Sequence, residues 1–304
     1  MARRGMRRNI TPLLFLFPAL ILLIIFVFYP TIATIWTSFL NWRGWKSTGF
    51  AGLDNYIDVL SRSSIINLRR SFLKGPPLGA LPHNIIWVVI HVPLSMFLGL
   101  LLAVLLRRVR GGFLIKSVIF LGMVIPMVVG GILLRFIYDE HAGVVNAMLR
   151  TIGLGWMART WTAYPDTALL ALIFGSVWIW TGFCMIVYSA GLEGIPEELY
   201  EAARIDGASG FQIFRHITIP MLKPATMTNL MMTVLWDLKI FDIVYVATFG
   251  GPGRATTVLA LEMYLDLFFK IPSNPGTAAA IATLLTLITL AFAVYMVRVA
   301  MVRR

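Results

Sequence analysis

Six long apolar stretches alternate with polar segments along the chain: about Leu13–Leu40, Asn84–Leu106, Leu114–Ile137, Thr167–Ala190, Ala225–Thr248 and Thr277–Val299. A helix rising about 1.5 Å per residue needs roughly 20 apolar residues to cross about 30 Å of hydrocarbon. Each stretch therefore predicts a spanning helix, and together they predict an all-α integral membrane protein with about six transmembrane helices. The first stretch follows MARRGMRR, which resembles the basic start of a signal peptide. Its apolar part is too long for one and no small-x-small cleavage site follows, so it reads as an uncleaved first span.

Composition agrees. Of the 304 residues, 59% are hydrophobic and 13% charged, against about 45–50% and about 25% in soluble domains. The net charge of +12 is spread over the flanks of the apolar runs, which fits the positive-inside rule and excludes the clustered footprint of a nucleic-acid binder. With six spans, 14 Lys and Arg lie in short segments on one side, among them Arg3, Arg4, Arg7, Arg8, Arg108, Arg303 and Arg304, and 10 on the other. That places both termini in the cytoplasm, with residues 1–12 a basic cytoplasmic N-terminus, 41–83 an external loop and 191–224 a cytoplasmic loop. The cluster Arg69, Arg70 and Lys74 in the external loop runs against the rule. The single cysteine, Cys184, sits in an apolar run and excludes an internal disulfide framework or zinc cluster. The histidines show no metal-ligand spacing, no nucleophile–base arrangement is visible, and no G-x-x-x-x-G-K-[ST] phosphate loop occurs.

The segment Gly191–Pro224 is polar yet patterned. Pro196 followed by Glu197 and Glu198 is a helix start, since acidic groups are favourable by about 0.3–1 kcal/mol at a helix N-terminus. Leu199, Ala202, Ala203 and Ile205 predict an apolar face. Gly207 and Gly210 break that helix, and Phe211, Ile213, Phe214 and Ile217 begin a second short amphipathic piece that ends before Pro220. Such a helix–turn–helix is either an interfacial anchor or a docking element for a cytoplasmic partner.

Ionisable groups inside spans are costly and usually functional. The fifth stretch carries Trp236, Asp237, Lys239 and Asp242. Lys239 and Asp242, three apart, are placed to pair on one helix face. These charges either specify packing or line a site for a polar ligand, where a carboxylate meets hydroxyls and an aromatic ring meets an apolar face. Asn229, Trp236 and Ile240 recur at near-helical spacing. Arg135, near the end of the third stretch, is expected to snorkel to the interface. Asn84 and His91, seven apart in the second, are expected to hydrogen-bond between helices.

The motif Glu201-Ala202-Ala203, Gly207 and Ile217-Thr218-Ile219-Pro220 resembles the EAA motif of ABC-importer permeases, with Ile219 where the pattern has Leu. Phe50-Ala51-Gly52-Leu53-Asp54-Asn55-Tyr56, Gly143-Val144-Val145-Asn146, and Phe241-Asp242 with Thr248-Phe249-Gly250-Gly251-Pro252 resemble, in order, motifs of sugar-type permeases related to the larger subunit of the maltose importer. The resemblance implies a type I ABC importer permease fold over residues 13–304, in the cytoplasmic membrane. It implies a pathway for a mono- or oligosaccharide, built with a second homologous permease, two ATPase subunits and an extracellular or periplasmic sugar-binding protein. ATP and Mg would be bound by the ATPase subunits and no cofactor or metal by this chain, which is then a transport subunit and not itself an enzyme. Glu201, Ala202, Ala203, Asp206, Gly207, Ile217 and Pro220 would couple to the ATPase. Matching outward from these landmarks points to Ile179, Trp180 and Phe183, with neighbouring Thr181, and to Trp236, Asp237 and Ile240 as pathway residues, joined by Asn229 and Lys239. Ile240 is apolar where the maltose subunit is polar. The alternatives are a glycerol-phosphate ABC importer and an ion-coupled secondary transporter, for which the charges of the fifth stretch would be a relay.

Overall fold

The computed structural model describes residues 10–68, 70, 75–107 and 109–302. Of the basic residues used above to orient the chain, Arg3, Arg4, Arg7, Arg8, Arg69, Lys74, Arg108, Arg303 and Arg304 lie outside the described residues. Four helices are long and apolar enough to cross a membrane: α1 (Leu14–Ser38), α3 (Ala80–Leu105), α7 (Ala168–Glu193) and α12 (Pro275–Val302). The third apolar stretch is not one helix. It divides into α4 (Gly112–Val124) and α5 (Met127–Ile137), bent by 101°. Ile125 is extended ahead of Pro126, as the ring of a following proline demands. The fifth stretch also divides, into α9 (Lys223–Leu238) and α10 (Asp242–Thr248). Where the sequence predicts about six spans, the described residues hold four long apolar helices and one bent pair, five if that pair is one span, still the helical fold of a multi-pass membrane protein. Broken helices are tolerated at membrane depth where other protein groups satisfy the freed backbone.

The chain forms two compact units, one of residues up to Leu60 with Met263–Leu284, the other of Ser61–Glu262 with residues from Leu285 onward. In the first, α1 is followed by an antiparallel hairpin, β1 (Leu40–Arg43) and β2 (Lys46–Phe50), and by α2 (Asp54–Ser61). The hairpin is a small departure from an all-α chain. Asn55, of the motif Phe50–Tyr56, is buried and donates from Nδ2 to the carbonyls of Ser38 at 2.8 Å and Leu40 at 2.9 Å. That motif closes the helix-to-hairpin junction.

In the second unit α7 is the central helix, buried on nearly all sides and packed on α3, α4 and α9. Close approach is possible because glycines stand at the crossings. A Cβ at Gly99 would fall 2.4 Å from Cys184 Cβ, and one at Gly182 would fall 2.9 Å from Phe120 Cα. Small residues at such crossings replace the hydrophobic drive that lipid cannot supply. Beyond α5, α6 (Val144–Thr151) begins at the motif Gly143–Asn146. Asn146 is fully buried and fully used: Nδ2 donates to Asp139 O (2.8 Å) and Arg159 O (2.9 Å), and Oδ1 accepts from Trp161 Nε1 (2.9 Å) and Arg159 N (3.3 Å). Two π turns, Ile24–Phe28 and Phe214–Thr218, stand immediately ahead of helical turns containing Pro30 and Pro220. A wider i→i+5 turn makes room for a ring that has no N–H to give.

Candidate functional site

The EAA-like segment folds into α8 (Glu197–Ile205), a turn at Gly207, and a second helical piece from Gly210 through the π turn to Met221. Helix α8 ends in a Schellman arrangement. Ala208 N–H donates to Ala203 O at 2.9 Å and Gly207 N–H to Arg204 O at 3.1 Å. The motif needs a left-handed residue, and Gly207 supplies it with φ of 77°. Ser209 and Gln212 then form a reciprocal capping box, at 2.7 and 3.3 Å. Both signals are local, and the glycine is the one by which the sequence foretells this turn.

The inward face of α8 differs from the expected one. It is made by Tyr200, buried among Tyr188, Leu192, Ile195 and Leu222, with its hydroxyl 3.4 Å from Thr218 Oγ1 and the Arg107 guanidinium 4.8 Å above its ring. Leu199 and Ile205 point away, Ile205 being 85% exposed. The large Tyr200 ring offers more area to bury than the alanines, and it carries a polar tip that finds a partner. Glu201, Ala202, Asp206, Gly207 and Pro220 are exposed, whereas Ala203 and Ile217 are half-buried. A concavity of about 360 Å³ between the two pieces is lined by Ala203, Asp206, Gly207, Gln212, His216 and Ile217. Glu197 is engaged by Arg107 at 3.3 Å and Arg204 at 3.6 Å, whereas Glu198 and Glu201 make neither an ion pair nor a side-chain hydrogen bond with the described residues.

The second cluster lies along α7 and α9. Trp180 stacks on Trp236 with ring centroids 4.2 Å apart, and Phe183 meets Trp236 edge-on at 5.0 Å. Ile179, Trp180, Thr181, Asn229, Asp237 and Ile240 are buried, Phe183 and Trp236 half-buried, and Lys239 exposed. Thr181 Oγ1 bonds its own helix at Val177 O (2.7 Å), and Asn229 Nδ2 crosses to Cys184 O (3.3 Å). Asp237 does not pair within its own stretch. Its Oδ2 lies 2.8 Å from His91 Nδ1 of α3, both side chains fully buried, and His91 Nε2 lies 3.3 Å from Ser95 Oγ. Lys239 and Asp242 do not share a helix face, because the break falls between them, and no ion pair joins them among the described residues. Asn84, also of α3, donates at 3.2 Å to the carbonyls of both Asp237 and Leu238 and accepts from Leu259 N at 2.8 Å. The expected inter-helix role of Asn84 and His91 is thus observed. Their shared target, the end of α9, was not foreseen; the one signal for it was two polar residues two helical turns apart in an apolar span. Three buried polar atoms here lack partners among the described residues, Trp180 Nε1, Asp237 Oδ1 and Asn229 Oδ1.

Long apolar helices and one bent pair accompany an exposed helix–glycine–helix element. Residues 95–304 match the family described as binding-protein-dependent transport system inner membrane component, and the chain belongs to that family. It is 54% identical over 295 residues, covering 96% of this chain and 99% of the other, to a probable ABC transporter permease protein of Pyrococcus horikoshii. It is 34% identical to an alpha-glucoside transport system permease protein of Rhizobium meliloti (98% and 85% covered) and 30% identical to a trehalose/maltose transport system permease protein of Thermococcus litoralis (96% and 94% covered). A permease chain in the crystal structure of a bacterial alginate ABC transporter, in complex with an alginate pentasaccharide-bound periplasmic protein, superposes with a TM-score of 0.77 at 20% identity, over 97% of this chain and 95% of that one. The chain has the fold of an ABC importer permease.

Proposed function

We propose that this chain conducts a mono- or oligosaccharide across the cytoplasmic membrane as one permease of an ATP-driven importer, with both termini in the cytoplasm. A second homologous permease, two ATPase subunits that carry the ATP and Mg, and an extracellular or periplasmic sugar-binding protein complete it. The exposed Glu201, Ala202, Asp206, Gly207 and Pro220, with Ala203 and Ile217 at the rim, dock the ATPase, and the Trp180–Trp236–Phe183 cluster with Asp237 contacts the sugar. The observation that carries this reading is the set of unpartnered buried atoms in this cluster, the donor Trp180 Nε1 and the acceptors Asp237 Oδ1 and Asn229 Oδ1. A buried donor or acceptor without a partner costs about 1–3 kcal/mol, and a sugar hydroxyl, which both donates and accepts, relieves that cost while an aromatic face takes the ring. The names of the alpha-glucoside and trehalose/maltose relatives support the same substrate class.

The test is uptake of labelled maltose and trehalose by vesicles containing the complex captured through a tag on this subunit. Wild type is expected to bring down a second permease and an ATPase. Trp236→Ala is expected to assemble equally and to lose about tenfold in uptake efficiency, about 1.4 kcal/mol of sugar contact. Wild-type uptake by Trp236→Ala would remove the aromatic cluster from the pathway.

A further inference from the structure

A cavity of about 800 Å³ lies in the second unit, lined by residues of α5, by the segment that follows it, and by the end of α10 with the chain just after it. In the proposed orientation this is the outer side. We propose that this cavity is a second carbohydrate site, the first that the sugar meets on leaving its binding protein. The inference rests on the reading of the chain as a sugar permease.

The lining presents the chemistry of a polyol binder. Arg135, expected to snorkel, opens onto the cavity and makes no hydrogen bond or ion pair with the described residues. Asp139 accepts at Oδ1 from the N–H groups of Ala142 (2.8 Å) and His141 (2.9 Å), leaving Oδ2 without a bond to the described residues. Those same two N–H groups, Ala142 first, hold its carboxyl below the usual carboxylate range, so it stays an acceptor. Thr162 has no hydrogen bond among the described residues, and Thr160 Oγ1 accepts from Glu140 N at 3.3 Å with its own hydrogen left to donate. Phe136 supplies an apolar face. Donors, an acceptor and hydroxyls around an apolar wall match a ring that alternates hydroxyls with C–H faces, and the volume lies within the roughly 300–1,000 Å³ of small-ligand sites.

The walls are fixed in advance. Asn146 ties Asp139, Arg159 and Trp161 together through four bonds. After α10, Phe249 and Gly250 adopt positive φ, and Thr256 and Thr257 hold the carbonyls of Gly251 and Gly250 at 2.9 and 3.2 Å. A preformed site spends less of its binding energy on ordering. One unpaired cation and one carboxylate give no net charge, which points to a neutral sugar. A protein loop would find charge where interface cores are depleted of it.

The test uses the captured complex in nanodiscs with Ala163→Cys as reporter, because Ala163 lines the cavity and the native Cys184 is buried. Labelling by a membrane-impermeant maleimide is followed with maltose or trehalose, whichever wild type takes up. At about ten times its dissociation constant the transported sugar is expected to slow labelling about tenfold by mass action. Arg135→Ala is expected to keep the labelling and lose the protection, and Trp236→Ala to keep both. No protection by a sugar that the importer does take up overturns this site and leaves the sugar permease standing. Protection by unloaded binding protein alone makes the cavity a protein-docking socket instead. If wild type takes up neither sugar, the substrate reading fails and this site with it.

Discussion

The turn at Gly207 is held by its own residues alone, while the break after Leu238 is also held from a distant helix. At Gly207 the last carbonyls of α8 are taken by the next two residues of the same chain, and the turn is open, since a Cβ there would meet nothing within 4 Å. After Leu238 the chain's own Lys239 and Ile240 N–H groups take the carbonyls of Trp236 and Asp237, and α3 adds a remote hold, with Asn84 on the carbonyls of Asp237 and Leu238 and His91 on the adjacent carboxylate. A helix end closed by its own residues leaves its surface available to a partner. One held also by a distant helix ties the break to the core. Substitutions on the exposed face of α8 should therefore damage function and spare stability, while those at the break should damage both.

The strongest break of this comparison is Glu201→Ala. Glu201 is exposed and bonded to none of the described residues, so its removal costs the fold almost nothing. Uptake is expected to fall to background while the subunit inserts, and the thermal midpoint in detergent is expected to stay at the wild-type value. Normal uptake would withdraw the docking role from α8. Next in size is His91→Ala. It leaves Asp237 buried without its partner, and removing one member of a buried pair costs about 3–5 kcal/mol. The expected outcome is a large fall in the thermal midpoint together with reduced uptake. A variant as stable as wild type would show that the end of α9 is not held from α3.

The same contrast explains what could be read from the chain. The α8 turn was legible because Pro196, Gly207 and Gly210 are neighbours in sequence; the equally local capping box of Ser209 and Gln212 was not read. The long apolar runs of α3, α7 and α12 announced themselves by length. The break in the third stretch had a local signal in Pro126, but the apolar run on either side is long enough to conceal it. The break in the fifth had none, since its support comes from Asn84 and His91, some 150 positions earlier (|i−j| of 153 and 146). The inward face of α8 was misjudged because Tyr200 counts as amphipathic in a pattern of small apolar residues, and only packing reveals that its ring is what gets buried. The candidate sugar residues were assembled through family resemblance. Spacing alone offered Lys239 and Asp242 as a pair, which the break separates.

Gly207→Ala sharpens the comparison at a smaller scale. No neighbour obstructs the added methyl, so the whole cost is the left-handed backbone, about 1–2 kcal/mol. Stability is expected to drop by no more than that. A fall in uptake larger than this drop accounts for would show that the turn aims the docking surface; a fall that merely follows stability would reduce Gly207 to a cap.

The smallest effect is expected where both partners are local and exposed. Arg159 Nη2 lies 2.6 Å from Asp166 Oδ2, with side-chain exposures of 33% and 65%. The hydrogen bond from Arg159 is the main cause that lowers the Asp166 carboxyl below its ordinary value of 3.8. A carboxyl lowered in the folded state binds its proton more weakly there than when unfolded. Its contribution is therefore complete above the unfolded value and disappears as pH falls through the lower folded one. An exposed pair contributes about 0–1 kcal/mol and is screened by salt. Asp166→Asn is expected to lower the thermal midpoint slightly near neutral pH, less at high ionic strength, and not at all once wild type is protonated. A deficit that persisted into strong acid would mean that Asp166 supports the approach to α7 by packing, not by charge, and the contrast between local and remote helix support would then extend to this end of the bundle.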